Sequence, residues 1–429
     1  MRYPLIVLTA VFIISCASVQ KPIKNNPNSD LSTSSEKDSF SLLAIGDTIL
    51  PDSLNAKQKL QLRDTYNIAY ALPLFSKDYP EIPAKKKAVS ERALRYWWGA
   101  QLALDTLKAI GVNANIKVFD TDNDSTKLSK IETQILKDST DLVFGPLLSQ
   151  NFEKMAPFAT KNKIHFVSAL KEIDECNSKS EYTIFPQTNN YVVLKKQVEL
   201  YDNLLSRKLP VYIFHRKTTN ETNEADSLNK ILLSFDKNLQ IQLNSPETGA
   251  IRGKFSSKFQ DTCIIFITSS QESFVSSIMA EMVTSRKSFY LAGREDWLEF
   301  ESLNAEQCEK FNMSFFISFS HDFENNLTRQ FVKSYRKTYH EEPNFYAYTG
   351  YSQTLYFLTH LYYFGNNFTS YFNTIDYKLP CVQFNMMKDQ ACGSFENQHL
   401  FLYHFKDKEF VEYLPTQNSY KNKSSKDDN

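Results

Sequence analysis

YNIAYALPLF (66–75), NIKVFDTDND (115–124), DLVFGPLLS (141–149) and KIHFVSAL (163–170) are four apolar runs, each closed by turn residues and separated from the next by a helix-patterned stretch. Runs of this length read as buried strands, and helices of about 10–15 residues between them make βαβ units on a parallel sheet. Right-handed crossovers put those helices on both faces. Ligands of such sheets lie in the crevice beyond the strands' C-terminal ends. The chemistry is therefore expected at Phe75 and Ser76, at 120–122, at 147–150 and at 169–171.

The same alternation restarts after EYTIFPQTNN (181–190). A helix over 191–206, strand LPVYIFH, a helix over 224–235, strand LQIQL, a short helix, strand TCIIFIT, a helix over 271–285 and strand SFYLAG make a second βαβ series. Its strand-end residues, His215 with Arg216, Ser269 with Ser270, and Arg294, Glu295 and Asp296, would face the first series across a cleft. The last three form the richest polar cluster, and a solvated loop with internal ion pairs is the plainer account of them.

Within the first series, Ser90 can cap a long helix that Gly111 ends, with Leu94, Trp97, Trp98, Leu104 and Leu107 on one broad face. Tryptophans at that spacing are packing residues before they are ligand-stacking ones. GPLLSQNF (145–152) breaks a strand and opens a helix, so Ser149 and Gln150 stand at a helix N-terminus. That end carries unpaired donors and partial positive charge, which suits an anion. Ser149 as a plain N-cap is the competing reading.

The chain has 429 residues with 49 acidic and 49 basic side chains, which argues against a broad nucleic-acid-binding or lipid-attracting surface. The one basic triplet, 85–87, is expected in a solvated loop. The apolar run from Leu5 to Ile14 is too short to span a bilayer and reads as a signal-peptide core. IISC (13–16) resembles a bacterial lipobox, so Cys16 is the expected lipidation site, with an ordinary secretory signal as the alternative. Residues 17–65 are expected to tether the domain, because 17–39 in particular lack the apolar side chains that would offset ordering entropy. Residues 416–429 are expected to be a disordered tail. Of the other cysteines, Cys381 and Cys392 are close enough in sequence to bridge a hairpin-like loop, and Cys263 reads as a buried strand residue. No CxxC or His/Cys ligand spacing points to a metal, and no cofactor motif is present.

The segments from YNIAYALPLF through GAQLALDTLKAIGVNANIKVFDTDND to DLVFGPLLSQNFEKMAPFATKNKIHFVSAL resemble the first lobe of type I periplasmic binding proteins. The likeness is to branched-chain amino-acid-binding-like lipoproteins and, further off, to lipoprotein activators of penicillin-binding proteins. It implies an α/β fold of two doubly wound parallel-sheet lobes joined by a three-crossing hinge. Lobe 1 would comprise 66–185 and 322–365, and lobe 2 would comprise 186–313 and 380–415. SFFISFSHD (314–322) would return the chain to lobe 1, and 331–361 would form a helix, a Pro turn and a helix opened by Gly350 and Tyr351. GSFENQHLFLYHFKDKEFVEY (393–413) would close lobe 2 as a hairpin turning at 406–408. The implied ligand-binding set is Phe75, Ser76, Ser149, Gln150, Ser168, Arg294, Glu295 and Asp296. Two departures stand out: SALKE (168–172) lacks the proline and hydroxyl of the family's Ser-Pro-x-x-Thr loop, and Ser352 follows Gly-Tyr where relatives carry Asp.

No GxSxG, HExxH, P-loop or glycine fingerprint occurs, and histidine is scarce, so an enzyme is not expected. The leading expectation is a lipid-anchored periplasmic solute-binding protein that holds a small polar ligand such as an amino acid or peptide. It would serve transport or sensing with a membrane transporter or envelope protein as partner. The alternative is a ligand-free interaction lipoprotein that regulates peptidoglycan synthesis. Residence at the outer membrane facing the periplasm follows from the absence of an early aspartate after Cys16.

Overall fold

The computed structural model describes residues 62–412 apart from 78, 80, 148, 170–178, 247–261, 286, 376–378 and 408. Cys16, the expected tether to residue 61 and the expected tail lie outside the described residues.

The first strand, β1 (Tyr66–Leu72), runs through the sheet interior between β2 (Ala114–Asp120) and β3 (Leu142–Phe144), all parallel. Then come β4 (His165–Val167) and β5 (Thr183–Phe185), also parallel. Because side chains alternate across a strand, β1 feeds two cores at once. Tyr66, Ile68, Tyr70 and Leu72 join the core under α1 (Ala84–Ala109), while Ala69 and Ala71 join the core under α2 (Ser125–Lys137) and α3 (Ser149–Asn162). A strand buried on both faces explains the unbroken apolar run.

The second lobe repeats the plan. After α4 (Asn190–Leu200) and α5 (Asp202–Ser206) come β6 (Val211–Phe214), α6 (Thr219–Phe235), β7 (Ile241–Asn244) and β8 (Thr262–Ile267). Then follow α7 (Glu272–Thr284), β9 (Ser288–Gly293), a 3-10 turn at Glu295–Glu299, α8 (Ala305–Lys310) and β10 (Ser314–Ile317). In β8 the residues Cys263, Ile265 and Ile267 face one core, and Ile264 and Phe266 face the other. The expected single helix over 191–206 is two helices that meet at Tyr201.

The chain then returns to the first lobe through α9 (Asn326–Tyr339) and α10 (Phe345–Phe364). Helix α10 is buried without a break from Ala347 to Leu361. A helix apolar all round belongs in an interior, and this one lies against α1. The two backbones meet at glycines. A Cβ on Gly99 would sit 1.9 Å from the Ala347 carbonyl oxygen, and one on Gly350 would sit 2.0 Å from that of Tyr96. Tyr96 also donates to Gln353 Oε1 at 2.8 Å, across the same seam.

Four sequence expectations about α1 and α10 are corrected. The buried stripe of α1 is Ala93, Tyr96, Gly99, Ala100, Ala103 and Leu107, because close approach needs small residues; Leu94 is 37% exposed, and Trp97, Trp98 and Leu104 are only partly buried. Ser90 does not cap α1, which begins with Pro83 and takes the basic triplet into its first turn; the Ser90 hydroxyl donates to the Leu74 carbonyl. Gly350 and Tyr351 lie inside α10 rather than opening it, and Asn344 is its cap, accepting from Tyr346 and Ala347.

The C-terminal strands divide between the lobes. β11 (Met386–Lys388) and β12 (Phe395–Asn397) extend the first sheet, giving the order β11-β12-β5-β4-β3-β1-β2. Only β13 (Phe401–Lys406) and β14 (Glu409–Glu412) join the second, in the order β14-β13-β10-β9-β8-β6-β7. Assigning all of 380–415 to lobe 2 is therefore corrected, because β12 pairs in parallel with β5. The hairpin of β13 and β14 turns at Asp407, within the expected span. Cys381 is a buried free thiol, whereas Cys392 is disulfide-bonded. The Cys381–Cys392 bridge is thereby corrected.

Candidate functional site

In the first lobe the mouth is built around Asp120. Its carboxylate, at the end of β2, accepts the N–H groups of Leu74 at 2.9 Å, Phe75 at 3.0 Å, Ser76 at 2.7 Å and Asp122 at 3.1 Å. It also accepts the Ser76 hydroxyl at 2.6 Å. Five donors on one carboxylate hold the turn after β1 and let Phe75 adopt φ 51° with its ring buried. Phe75 thus lies inside the wall of the mouth, and the Ser76 hydroxyl is directed to Asp120.

Ser149 and Gln150 open α3; their side chains lie outside the described residues. Gly145 sets the approach to that helix with φ 105°, donating to Val167 O at 2.9 Å, where a Cβ would meet Ala71 O at 2.2 Å. Ser168 is fully buried and donates its N–H to Ile184 O at 2.9 Å. The next carbonyl, of Ala169, accepts from Gln353 Nε2 of α10 at 2.9 Å.

The second lobe's strand ends are also paired among themselves. Arg294 bonds Glu224 of α6 and reaches Asp296 at 3.3 Å. Burial raises the Glu224 carboxyl above its ordinary range, with Arg294 offsetting part of the rise. Glu295 accepts both the N–H and the hydroxyl of Ser318, at 3.1 and 2.9 Å. Arg216 grips Glu221 through Nε at 2.8 Å, through a second guanidinium nitrogen at 2.5 Å and through its own N–H at 2.8 Å, and Ser269 adds a fourth donor at 3.1 Å. Burial pushes Glu221 up, but these bonds outweigh it and leave the carboxyl below the usual range. Trp297 is fully buried and donates to Ser269 O at 2.9 Å, so it anchors the cluster from beneath.

Asp120 lies at a strand end that the sequence marks, whereas Glu221, Glu224 and Ser318 lie outside the site residues the sequence marks. Glu221 and Glu224 sit in the first turns of a helix that begins five residues before the expected 224, at Thr219. Ser318 meets Glu295 only through tertiary folding.

Three chain crossings converge beside this mouth. Gln187 and Thr188 of the first, Ser318 of the second and Asn397 at the third line a cavity of about 70 Å³, closed by Phe345, Thr349 and Gln353 of α10. That is room for a few waters. Thr188 donates to His399 O at 2.8 Å, and Asn397 Nδ2 donates to Pro186 O and Gln383 O at 3.0 Å each. Beneath them a buried pair, Lys179 and Glu396 at 2.8 Å, takes a further bond from Asn189 at 2.8 Å.

No protein-family model matches the chain. No curated protein matches it either. Solved structures do. A branched-chain amino acid ABC transporter protein of Rhodospirillum rubrum aligns over 81% of this chain and all of its own, with 13% identity and a TM-score of 0.61. The C-domain of LpoA from Haemophilus influenzae, titled a regulator of PBP1A, aligns over 81% of this chain and all of its own at 13% identity, TM-score 0.55. Full-length LpoA matches at 13% identity with a TM-score of 0.56, and this chain spans only 60% of its length. The Desulfitobacterium hafniense substrate-binding protein complexed with Leu matches over 81% of this chain at 14% identity, TM-score 0.50. With two helix-flanked, mostly parallel sheets and three crossings between them, the chain has the fold of the type I periplasmic binding proteins.

Proposed function

We propose that the chain is a non-enzymatic binding module of the bacterial cell envelope that engages a protein partner, anchored through lipid on Cys16. The observation that carries this reading is the internal pairing of the strand-end groups. Ser76 is held by Asp120, Arg216 and Ser269 by Glu221, Arg294 by Glu224 and Asp296, and Glu295 by Ser318. A solute gripping these groups would have to break compensated pairs, and each partner left buried and unpaired costs about 1–3 kcal/mol. The chain's departure at SALKE (168–172) from the Ser-Pro-x-x-Thr loop supports the same reading. LpoA, which shares the fold and is titled a regulator of PBP1A, supplies the class of partner: a protein of the PBP1A kind.

The test has two arms. Purified protein titrated with pooled amino acids, small peptides and muropeptide fragments is expected to show no calorimetric heat or thermal shift. In vivo cross-linking in the outer envelope is expected to trap a protein of the PBP1A kind. A thermal shift with an amino acid pool, abolished by Asp296→Asn, would overturn the reading. For the anchor, Cys16→Ala is expected to release the protein from membranes or leave an uncleaved precursor; membrane association with normal processing would refute it.

A second reading, capture of a small polar solute for transport, is favoured by the fold shared with the Leu-complexed substrate-binding protein of Desulfitobacterium hafniense. In that case Ser149 and Gln150, at the α3 N-terminus, would take the ligand's anionic end. Ser149→Ala would then weaken the binding by about 1–3 kcal/mol.

A further inference from the structure

On the far side of the first lobe from β5, α1 carries a stripe of Trp97, Gln101, Leu104 and Asp105 at helical spacing. With Ile116 and Val118 of β2 and Tyr339 at the end of α9, these residues line a groove of about 480 Å³. β2 is the last strand of its sheet among the described residues: one edge pairs with β1 along its whole length and the other is open. Val118 on that strand is 37% exposed. An open strand edge flanked by apolar side chains is a template for an added strand.

The groove also has an electrostatic preference. Tyr339 stacks on Trp98 with ring centroids 4.5 Å apart and donates to Gln101 Oε1 at 3.3 Å, which fixes its ring. Asp105 is exposed and has no ion-pair partner among the described residues. Burial and then the Asp105 charge raise the Tyr339 hydroxyl to about 12, so carboxylate and ring share one field. Lys117, the cation of β2, is already paired with Asp138 at 2.6 Å. Aromatic faces beside an unpaired carboxylate select a cation.

We propose that this groove takes an extended, Lys- or Arg-bearing segment of a protein partner, which adds as a strand to the open edge of β2 and lays one cationic side chain against Trp97 and Tyr339 beside Asp105. The proposal rests on the reading of the chain as a protein-binding module and names the surface that module uses.

The test uses short synthetic peptides of alternating Val and Thr that differ only in carrying Lys or Glu, titrated by calorimetry against the full chain. The Lys peptide is expected to bind and the Glu peptide to bind at least about tenfold more weakly. Asp105→Lys, an exposed change whose folding is checked by thermal melting, is expected to reverse that order. The Lys peptide N-methylated at alternate residues, which cannot complete a ladder, is expected to lose binding. Equal binding of the Lys and Glu peptides, indifference to Asp105→Lys, or retained binding of the N-methylated peptide would each overturn the proposal. If the Lys peptide fails while the envelope partner is still cross-linked, the groove falls and the wider reading stands. If the peptide binds but no envelope partner is trapped, the wider reading falls and the groove stands.

Discussion

Asp120 and Glu221 play matching parts in the two lobes. Each is a carboxylate near a strand end that collects donors from the loop beside it, Asp120 from Leu74, Phe75, Ser76 and Asp122, and Glu221 from Arg216 and Ser269. Removing either acceptor leaves several donors without a partner. Glu221→Ala is expected to lower the unfolding free energy by about 1–3 kcal/mol, because the Arg216 guanidinium is only half-buried and water recovers part of the loss. Urea denaturation would read it, and an unchanged midpoint would show the network to be a surface ornament. Asp120→Asn keeps the shape but loses the charge on bonds made by four amides and a hydroxyl, so a similar loss is expected.

Among the elements, the contact of α1 with α10 is the tightest, and its glycines are the sensitive points. Gly99→Ala would drive a methyl into the Ala347 carbonyl, which is helix backbone and cannot swing aside. A cost of about 1–3 kcal/mol or more is expected, with the thermal midpoint as the readout. The start of α1 offers the opposite outcome. Pro83 provides no side-chain cap, and lysines 85–87 place positive charge at the positive end of the helix. Lys85→Glu is therefore expected to stabilise the protein by about 0.3–1 kcal/mol at low salt, and the gain should fade as salt is added.

For the molecule as a whole, acid should weaken the fold before most carboxylates titrate. Burial lowers His165, His360 and His399 from the ordinary value of 6.5 to about 4, and His399 lies beside the third crossing. Between those values the unfolded chain binds protons that the folded chain excludes. Stability therefore falls as pH drops from about 6.5 toward 4, by about 1.4 kcal/mol per pH unit for each fully excluded proton. Urea midpoints at pH 7 and 5 check this, and His399→Gln should flatten the slope. At the hinge, Glu396→Ala would strand the buried Lys179 ammonium and is expected to cost about 3–5 kcal/mol.

Local pattern was enough to find the strands. β1, β8 and β9 are apolar runs bounded by turn residues, and their alternation with helices implies parallel sheets in any tertiary setting, since burial on both faces demands such runs. Sequence also placed Arg294, Glu295 and Asp296 just past a strand end, where Arg294 leads into the 3-10 turn that Glu295 and Asp296 open. It did not reveal what those side chains would hold. Glu224 lies 70 residues from Arg294, Ser318 lies 23 from Glu295, and Asp120 lies 44 from Ser76. Pairings across such separations leave no periodic trace in the chain. The face α1 buries was likewise decided by its neighbour: hydrophobicity favoured Leu94, Trp97 and Leu104, but a helix packed backbone to backbone needs Gly99, Ala100 and Ala103. The division of the last strands between the sheets was decided in the same way, because three-residue strands such as β11 and β12 carry too little pattern to choose a partner, and the free edge of β5 chose for them.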